Sequence, residues 1–136
     1  MEDSLRRVRE YLAGASLAFG IILLTLQLLG AYYEFVGLGW EEIAAYTAPL
    51  SALFIIIHIV GGSVGGYLVA LRRVGESFRP GMVTALIAYI IEYFYQLLFE
   101  GSFPGSLWAL ICLVGGGVCG SMVAEARRMK ATVGQG

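Results

Sequence analysis

Four long apolar stretches, separated by short polar segments, dominate the hydrophobic pattern of this chain. They lie at about 11–33, 48–71, 81–99 and 106–126. Each is close to the roughly 20 residues that an α-helix needs to cross about 30 Å of hydrocarbon. Because only helices satisfy their own backbone hydrogen bonds over such lengths in lipid, the pattern predicts an all-α, four-helix transmembrane bundle that forms one domain over residues 1–136.

Prolines and aromatic residues mark the ends of these spans. The three prolines lie at or just before the starts of spans two, three and four, where a first helical turn tolerates proline: Pro49, Pro80 and Pro104. Aromatic residues gather at one predicted boundary, as interfacial aromatics do: Tyr32, Tyr33, Trp40, Tyr46, Phe103 and Trp108. The 35–49 segment is either a short interfacial helix or an ordered loop. Span one lacks a small-residue cleavage site, so we interpret it as an uncleaved span.

Composition and charge support a polytopic membrane protein. The chain is 58% hydrophobic and 14% charged, with a mean hydropathy of +0.77. Its nine basic residues form three clusters that four spans would bring to one face: Arg6, Arg7 and Arg9; Arg72, Arg73 and Arg79; Arg127, Arg128 and Lys130. The positive-inside bias predicts that this face and both termini are cytoplasmic, in the cell (plasma) membrane. The second and third clusters are expected to contact anionic lipid headgroups.

Spans two and four share a glycine-rich pattern. Val-Gly-Gly-x-Val-x-Gly occurs at 60–66 and again at 114–120, an offset of 54 (114 − 60), and Val-Ala and an arginine follow at the same offset. Spans one and three share only Gln-Leu-Leu, at 27–29 and 96–98. The pattern predicts a duplication with halves at about 11–73 and 81–127. Two-span halves enter the membrane in the same direction, so a pseudo-two-fold axis along the membrane normal is expected.

Small residues four positions apart flatten a helix face and allow another backbone to approach closely. We therefore predict helix-packing roles for seven glycines: Gly61, Gly62, Gly65, Gly66, Gly115, Gly116 and Gly120. The two faces that they form either pack against each other within the monomer or build a homodimer.

Polar residues at mid-span are the candidate functional groups. Glu92, His58 and Cys112 lie at similar depths, roughly 18–21 Å from the basic ends of their spans at helical rise. Glu92 is a candidate proton or cation site, because an ionisable group at that depth is costly to keep. Tyr89 and Gln96, one turn away on either side, are candidates to hold its carboxyl group. We predict a contact between Glu92 and His58, and each of these residues has a purely structural alternative.

Other chemistry has little support in the sequence. Cys112 and Cys119 lie about 10 Å apart along one helix, beyond disulfide reach. No ligand spacing indicates a metal site, one histidine is a poor basis for haem, and the glycine run follows no strand as a nucleotide motif would. No basic patch is interleaved with aromatics, so nucleic-acid binding is not expected. We predict no enzyme activity and no cofactor.

The last two thirds of the chain resemble YrzE-like small four-span membrane proteins of bacteria and archaea. The resemblance rests on Val60-Gly61-Gly62 through Arg72-Arg73, then Gly75, Pro80-Gly81, an apolar third span and a glycine-rich fourth span. It implies the four-helix fold. That family has no assigned activity, so the resemblance brings no functional residue.

Two functions fit the sequence. The first is a non-enzymatic accessory or packing subunit, or a homo-oligomeric membrane module, whose partners are the bilayer, copies of itself or other membrane proteins. The second is a small proton- or cation-linked transporter or channel that uses Glu92.

Overall fold

Four α-helices account for nearly all of the residues that the structure describes. The computed structural model of the chain describes residues 2–37, 47–73, 75–99 and 107–133. The helices are α1 (Glu2–Val36), α2 (Thr47–Arg72), α3 (Arg79–Phe99) and α4 (Leu107–Val133). All four are long and apolar enough to cross a membrane. The predicted all-α architecture, with four helices long and apolar enough to cross a membrane, is therefore confirmed over this part of the chain.

Two helices extend beyond the predicted spans at their charged ends. α1 begins at Glu2 and α4 continues to Val133. Hydropathy falls where charges appear, but a helix does not have to end there. Arg6 and Glu10, one turn apart on α1, approach to 3.5 Å, and acidic residues suit the first turn of a helix. Pro80 lies in the first turn of α3, as predicted. Most of the 35–49 loop, together with Trp40, Tyr46, Phe103 and Pro104, lies outside the described residues.

The helix ends that carry the basic clusters meet at one end of the bundle, which we call the basic end. Arg73 on α2 lies 2.8 Å from Glu10 on α1. Tyr11 donates a hydrogen bond to Glu76, just before α3, over 3.2 Å. On α4, Arg128 donates to the carbonyl oxygen of Ala70 and to that of Arg73. All nine Lys and Arg side chains therefore belong to the same end of the bundle.

The most extensive helix contact in the described bundle joins α2 and α4. α1 packs on α2 and α3, and α3 packs on α4 as well. The two central helices run in the same direction, because successive positions of α2 meet successive positions of α4. This parallel pair forms the centre of the fold.

Glycines on the two central helices pack directly against the opposite backbone, and the contacts occur in matching pairs. Gly62 lies against the carbonyl of Leu113, and Gly116 lies against the carbonyl of Ile59. One turn further, Gly66 meets the carbonyl of Gly117, and Gly120 meets the carbonyl of Ser63. The two members of each pair are related by the offset of 54 (116 − 62 and 113 − 59). A methyl group at any of these glycines would overlap backbone atoms that cannot move independently of their helix.

Candidate functional site

His58 and Glu92 form a buried polar pair between α2 and α3. His58 is 0% exposed and Glu92 is 4% exposed. The Nε2 atom of His58 lies 3.2 Å from Oε1 of Glu92. The contact predicted from their common depth is therefore present. It is surrounded by an apolar core that includes Ile22, Ile57 and Ala88.

Phe54, one turn before His58 on α2, fixes the orientation of the imidazole. The two ring centroids are 4.0 Å apart. The Nδ1 atom of His58 lies 2.7 Å from the carbonyl oxygen of Phe54. Because a carbonyl oxygen only accepts hydrogen bonds, Nδ1 carries the proton in this contact and donates it. The other ring nitrogen, Nε2, is thereby directed at Glu92.

The second carboxyl oxygen of Glu92 has no hydrogen-bond partner in the described residues. Oε2 is buried and unpaired there, and so is Oε1 of Gln96, one turn further along α3. Neither Tyr89 nor Gln96, the two residues predicted to hold the carboxyl group, therefore bonds to Oε2 in the described structure. The other carboxyl oxygen, Oε1, contacts His58.

Cys112, the third residue of the predicted polar layer, is buried on α4, whereas Cys119 on the same helix is exposed. Within the described residues, no three His, Cys, Asp or Glu side chains converge in a way that could hold a metal ion. The chemistry available at the site is therefore hydrogen bonding and proton exchange between one imidazole and one carboxyl group.

The predicted packing glycines fall into three groups. Gly62, Gly66, Gly116 and Gly120 join α2 to α4, as described above. Gly61 and Gly65 face α1, where an added methyl group would lie 2.9 Å from the carbonyl oxygen of Ala18 and 2.7 Å from that of Gly14, respectively. Gly115 is exposed, and no described atom lies within 4 Å of a methyl group placed there. Gly115 therefore contributes to no helix contact within the described monomer.

Three glycines outside the predicted set, Gly14, Gly81 and Gly117, also form close contacts. Gly14 on α1 lies against Gly65, and Gly81 on α3 lies against Gly117 on α4. An Ala-Gly-Ala run at 13–15 and a Pro-Gly pair at the start of α3 were the available signals. None of these three glycines has a second glycine four positions away on its own helix, so a glycine spacing of four does not indicate their contacts.

Burial is concentrated between the basic end and the His58–Glu92 pair. Beyond the pair, toward the opposite end of the bundle, the described buried residues are Ala109 and Ile57, the residue just before His58. A groove of about 610 Å³ lies there, lined by Leu50, Ser51, Phe54, Ile55 and Trp108. The pair therefore lies at the boundary between a closely packed half of the bundle and a more open half.

The basic residues predicted to contact lipid headgroups have two kinds of environment. Arg73 and Arg128 take part in the contacts between helices at the basic end. Arg72, Arg79 and Lys130 are exposed, and Arg127 is exposed while it bonds to the hydroxyl of Tyr67 at 3.0 Å. The exposed side chains remain available to anionic headgroups.

No protein-family model, curated protein or solved structure matches this chain. The resemblance to YrzE-like proteins therefore stays a prediction, and any function must be argued from the residues themselves.

Proposed function

We propose that this protein is a non-enzymatic membrane module that acts through helix association and forms homo-oligomers. We place it in the plasma membrane, with its basic end on the cytoplasmic side, because that orientation satisfies the positive-inside bias for all nine basic residues. Its small size and the glycine contacts between its helices support a packing role.

The observation that carries this proposal is an uncovered packing face on α4. On α2, Gly61 and Gly65 are covered by α1. The residues 54 positions later are Gly115 and Cys119 (115 − 61, 119 − 65), and both are exposed. The face of α2 that packs against α1 thus has a counterpart on α4 that packs against no helix in the described monomer.

We attribute the two related faces to a duplication of a two-helix unit, with halves at about 11–73 and 81–127. The matching contacts of the central helices support it, since each has a counterpart at the same offset. The outer helices depart from this symmetry. α1 covers the Gly61 face of α2, whereas α3 packs through Gly81 onto Gly117. This difference leaves the Gly115 face of α4 uncovered.

A second copy of the chain is the occupant that fits this face best. A surface centred on small residues complements itself, and an isologous dimer brings the same surface of two copies together. Both copies have the same orientation in the bilayer, so the two α4 helices would meet in parallel around an axis along the membrane normal. Gly115 would allow the two backbones to approach, and Cys119 would lie near its own copy.

Oxidative cross-linking in membranes tests this arrangement. In a Cys112→Ala variant, Cys119 is the only cysteine that remains. We expect a disulfide-linked dimer, because close parallel helices bring Cα atoms within the roughly 4.4–6.8 Å range that disulfides require. Adding Gly115→Leu is expected to reduce the dimer by about tenfold or more, because the larger side chain separates the helices.

The matched control for this experiment is Gly20→Leu, on an exposed position of α1 with no described atom within 4 Å of an added methyl group. It should leave the cross-link unchanged. A dimer that is absent, or equally abundant with Gly115→Leu, contradicts the proposed interface. A cross-link to a different protein would instead identify a partner subunit and replace the second copy in this proposal.

A proton-linked transport function is the second candidate. The observation that favours it is Glu92, a buried carboxyl group with one unpaired oxygen in the described residues, at the boundary of the closely packed half. Intramembrane carboxyl groups of this kind belong to proton pathways in many transporters. Proton flux into liposomes, compared between the wild type and Glu92→Gln, separates this function from a structural role.

A further inference from the structure

The hydrogen bonds of His58 determine which protons the buried pair holds. Nδ1 donates to the carbonyl oxygen of Phe54. A neutral imidazole has one N–H, so Nε2 of a neutral His58 is an acceptor with a lone pair. An ionised Glu92 would then place a carboxylate oxygen 3.2 Å from that lone pair, with no proton between them. The contact requires one additional proton, shared between Nε2 and Oε1.

The additional proton has two possible positions. On Nε2 it makes an imidazolium that donates to a carboxylate. On Oε1 it makes a carboxylic acid that donates to a neutral imidazole. Both forms have no net charge, but only the first separates a positive from a negative charge in the apolar interior, where desolvating ions is expensive.

The unpaired oxygen of Glu92 favours the carboxylic acid. In a carboxylate, Oε2 would carry part of the negative charge while lacking any hydrogen-bond donor in the described residues. In an acid protonated on Oε1, Oε2 is a neutral carbonyl oxygen, whose burial without a partner costs much less. No compensating charge is close, because Glu92 is the only Asp, Glu, Lys or Arg within 11–33, 47–71, 80–99 and 107–124.

The groups that surround the pair do not change this assignment. The other titratable side chains near this level are Tyr89, Tyr93 and Tyr95 on α3 and Cys112 on α4. They are phenols and a thiol, so none is a cationic group. α1 presents the apolar side chain of Ile22 at this level, and α2 presents the ring of Phe54. None of them supplies a charge that would stabilise a carboxylate.

We infer that His58 and Glu92 form a one-proton binding site, with the proton on Oε1 of Glu92 and Nε2 of His58 as its acceptor. Release of this proton leaves a carboxylate against the Nε2 lone pair. The pair must then separate, or the imidazole must move its proton from Nδ1 to Nε2 and give up the bond to Phe54. Proton release therefore weakens either the α2–α3 contact or the anchoring of His58. This inference goes beyond the proposed packing function and does not depend on it.

Nitrogen-15 NMR tests the inference directly, because His58 is the only histidine in the chain. The wild-type protein is labelled with ¹⁵N-histidine and measured in lipid bilayers at neutral pH. We expect one protonated nitrogen, Nδ1, and one unprotonated nitrogen, Nε2, with a chemical shift that shows it accepting a hydrogen bond. Two protonated nitrogens, or a single proton on Nε2, would overturn the assignment.

Infrared spectroscopy of the same samples provides the second measurement. The wild type should show the carbonyl stretch of a protonated carboxylic acid, and Glu92→Gln should lack it. The carboxamide introduced by this substitution can donate to Nε2 from the same position, so the histidine tautomer should persist in the variant. Absence of the acid band in the folded wild type would also overturn the inference, and neither result depends on how the protein associates.

Discussion

Replacing Gly81 with alanine is expected to lower the free energy of unfolding by about 3 kcal/mol, near the upper end of the range for overpacked sites. The added methyl group would overlap the carbonyl of Gly117 and lie 2.5 Å from Oγ of Ser121. The obstructing atoms belong mainly to helix backbone, so no side-chain rotation relieves the overlap. Reversible unfolding in mixed detergent micelles, followed by loss of helicity, measures the change.

Gly20→Ala is the matched control for Gly81→Ala. No described atom lies within 4 Å of a methyl group at Gly20. Alanine also favours a helix by up to about 1 kcal/mol over glycine, so this variant should be as stable as the wild type or slightly more stable. If Gly81→Ala and Gly20→Ala unfold alike, the close contact between α3 and α4 is not formed in the protein.

Removing the side chain of Glu92 is expected to destabilise the bundle, whereas converting it to its amide is not. Glu92→Ala leaves Nε2 of His58 buried without a donor and opens a cavity, so we expect a loss of about 3 kcal/mol. Glu92→Gln keeps the shape and supplies an N–H donor to Nε2, so we expect a change of less than about 1 kcal/mol. The same unfolding measurement compares the two variants.

A Glu92→Gln variant as unstable as Glu92→Ala would contradict this account. That result is expected for a buried ion pair, in which removing one partner costs about 3–5 kcal/mol. The Glu92→Gln variant also decides between the candidate functions, because it retains the fold but has no carboxylic acid proton to exchange. A proton flux into liposomes that the wild type supports and Glu92→Gln abolishes would establish transport. The absence of flux in the wild type would leave Glu92 as a structural hydrogen-bond donor.

The sequence was sufficient to predict the helices and the depth of the polar pair. Four apolar stretches near the length of a bilayer span leave little freedom, and helical rise converts residue number into depth. Depth alone placed His58 and Glu92 in one layer. It placed Cys112 there equally well, because residue number gives height along the bundle but not the direction in which a helix faces its neighbours.

The roles of individual glycines were less accessible to prediction. The runs at 60–66 and 114–120 put small residues on adjacent faces of one helix, so spacing cannot tell which face meets which helix. Gly62 on α2 packs against α4, and Gly116 on α4 packs against α2, while Gly115, the residue just before Gly116, is exposed. Gly81 was missed because its contact depends on the position of Gly117 in another helix. These choices depend on how all four helices pack together.

Native mass spectrometry of the protein, gently purified from its own membranes, shows whether it associates with copies of itself. The proposed function predicts a homo-oligomer, most simply a dimer, that Gly115→Leu converts to monomer while Gly20→Leu leaves it intact. A wild-type protein that is monomeric under these conditions, with no stoichiometric partner, would contradict the claim that it acts through helix association.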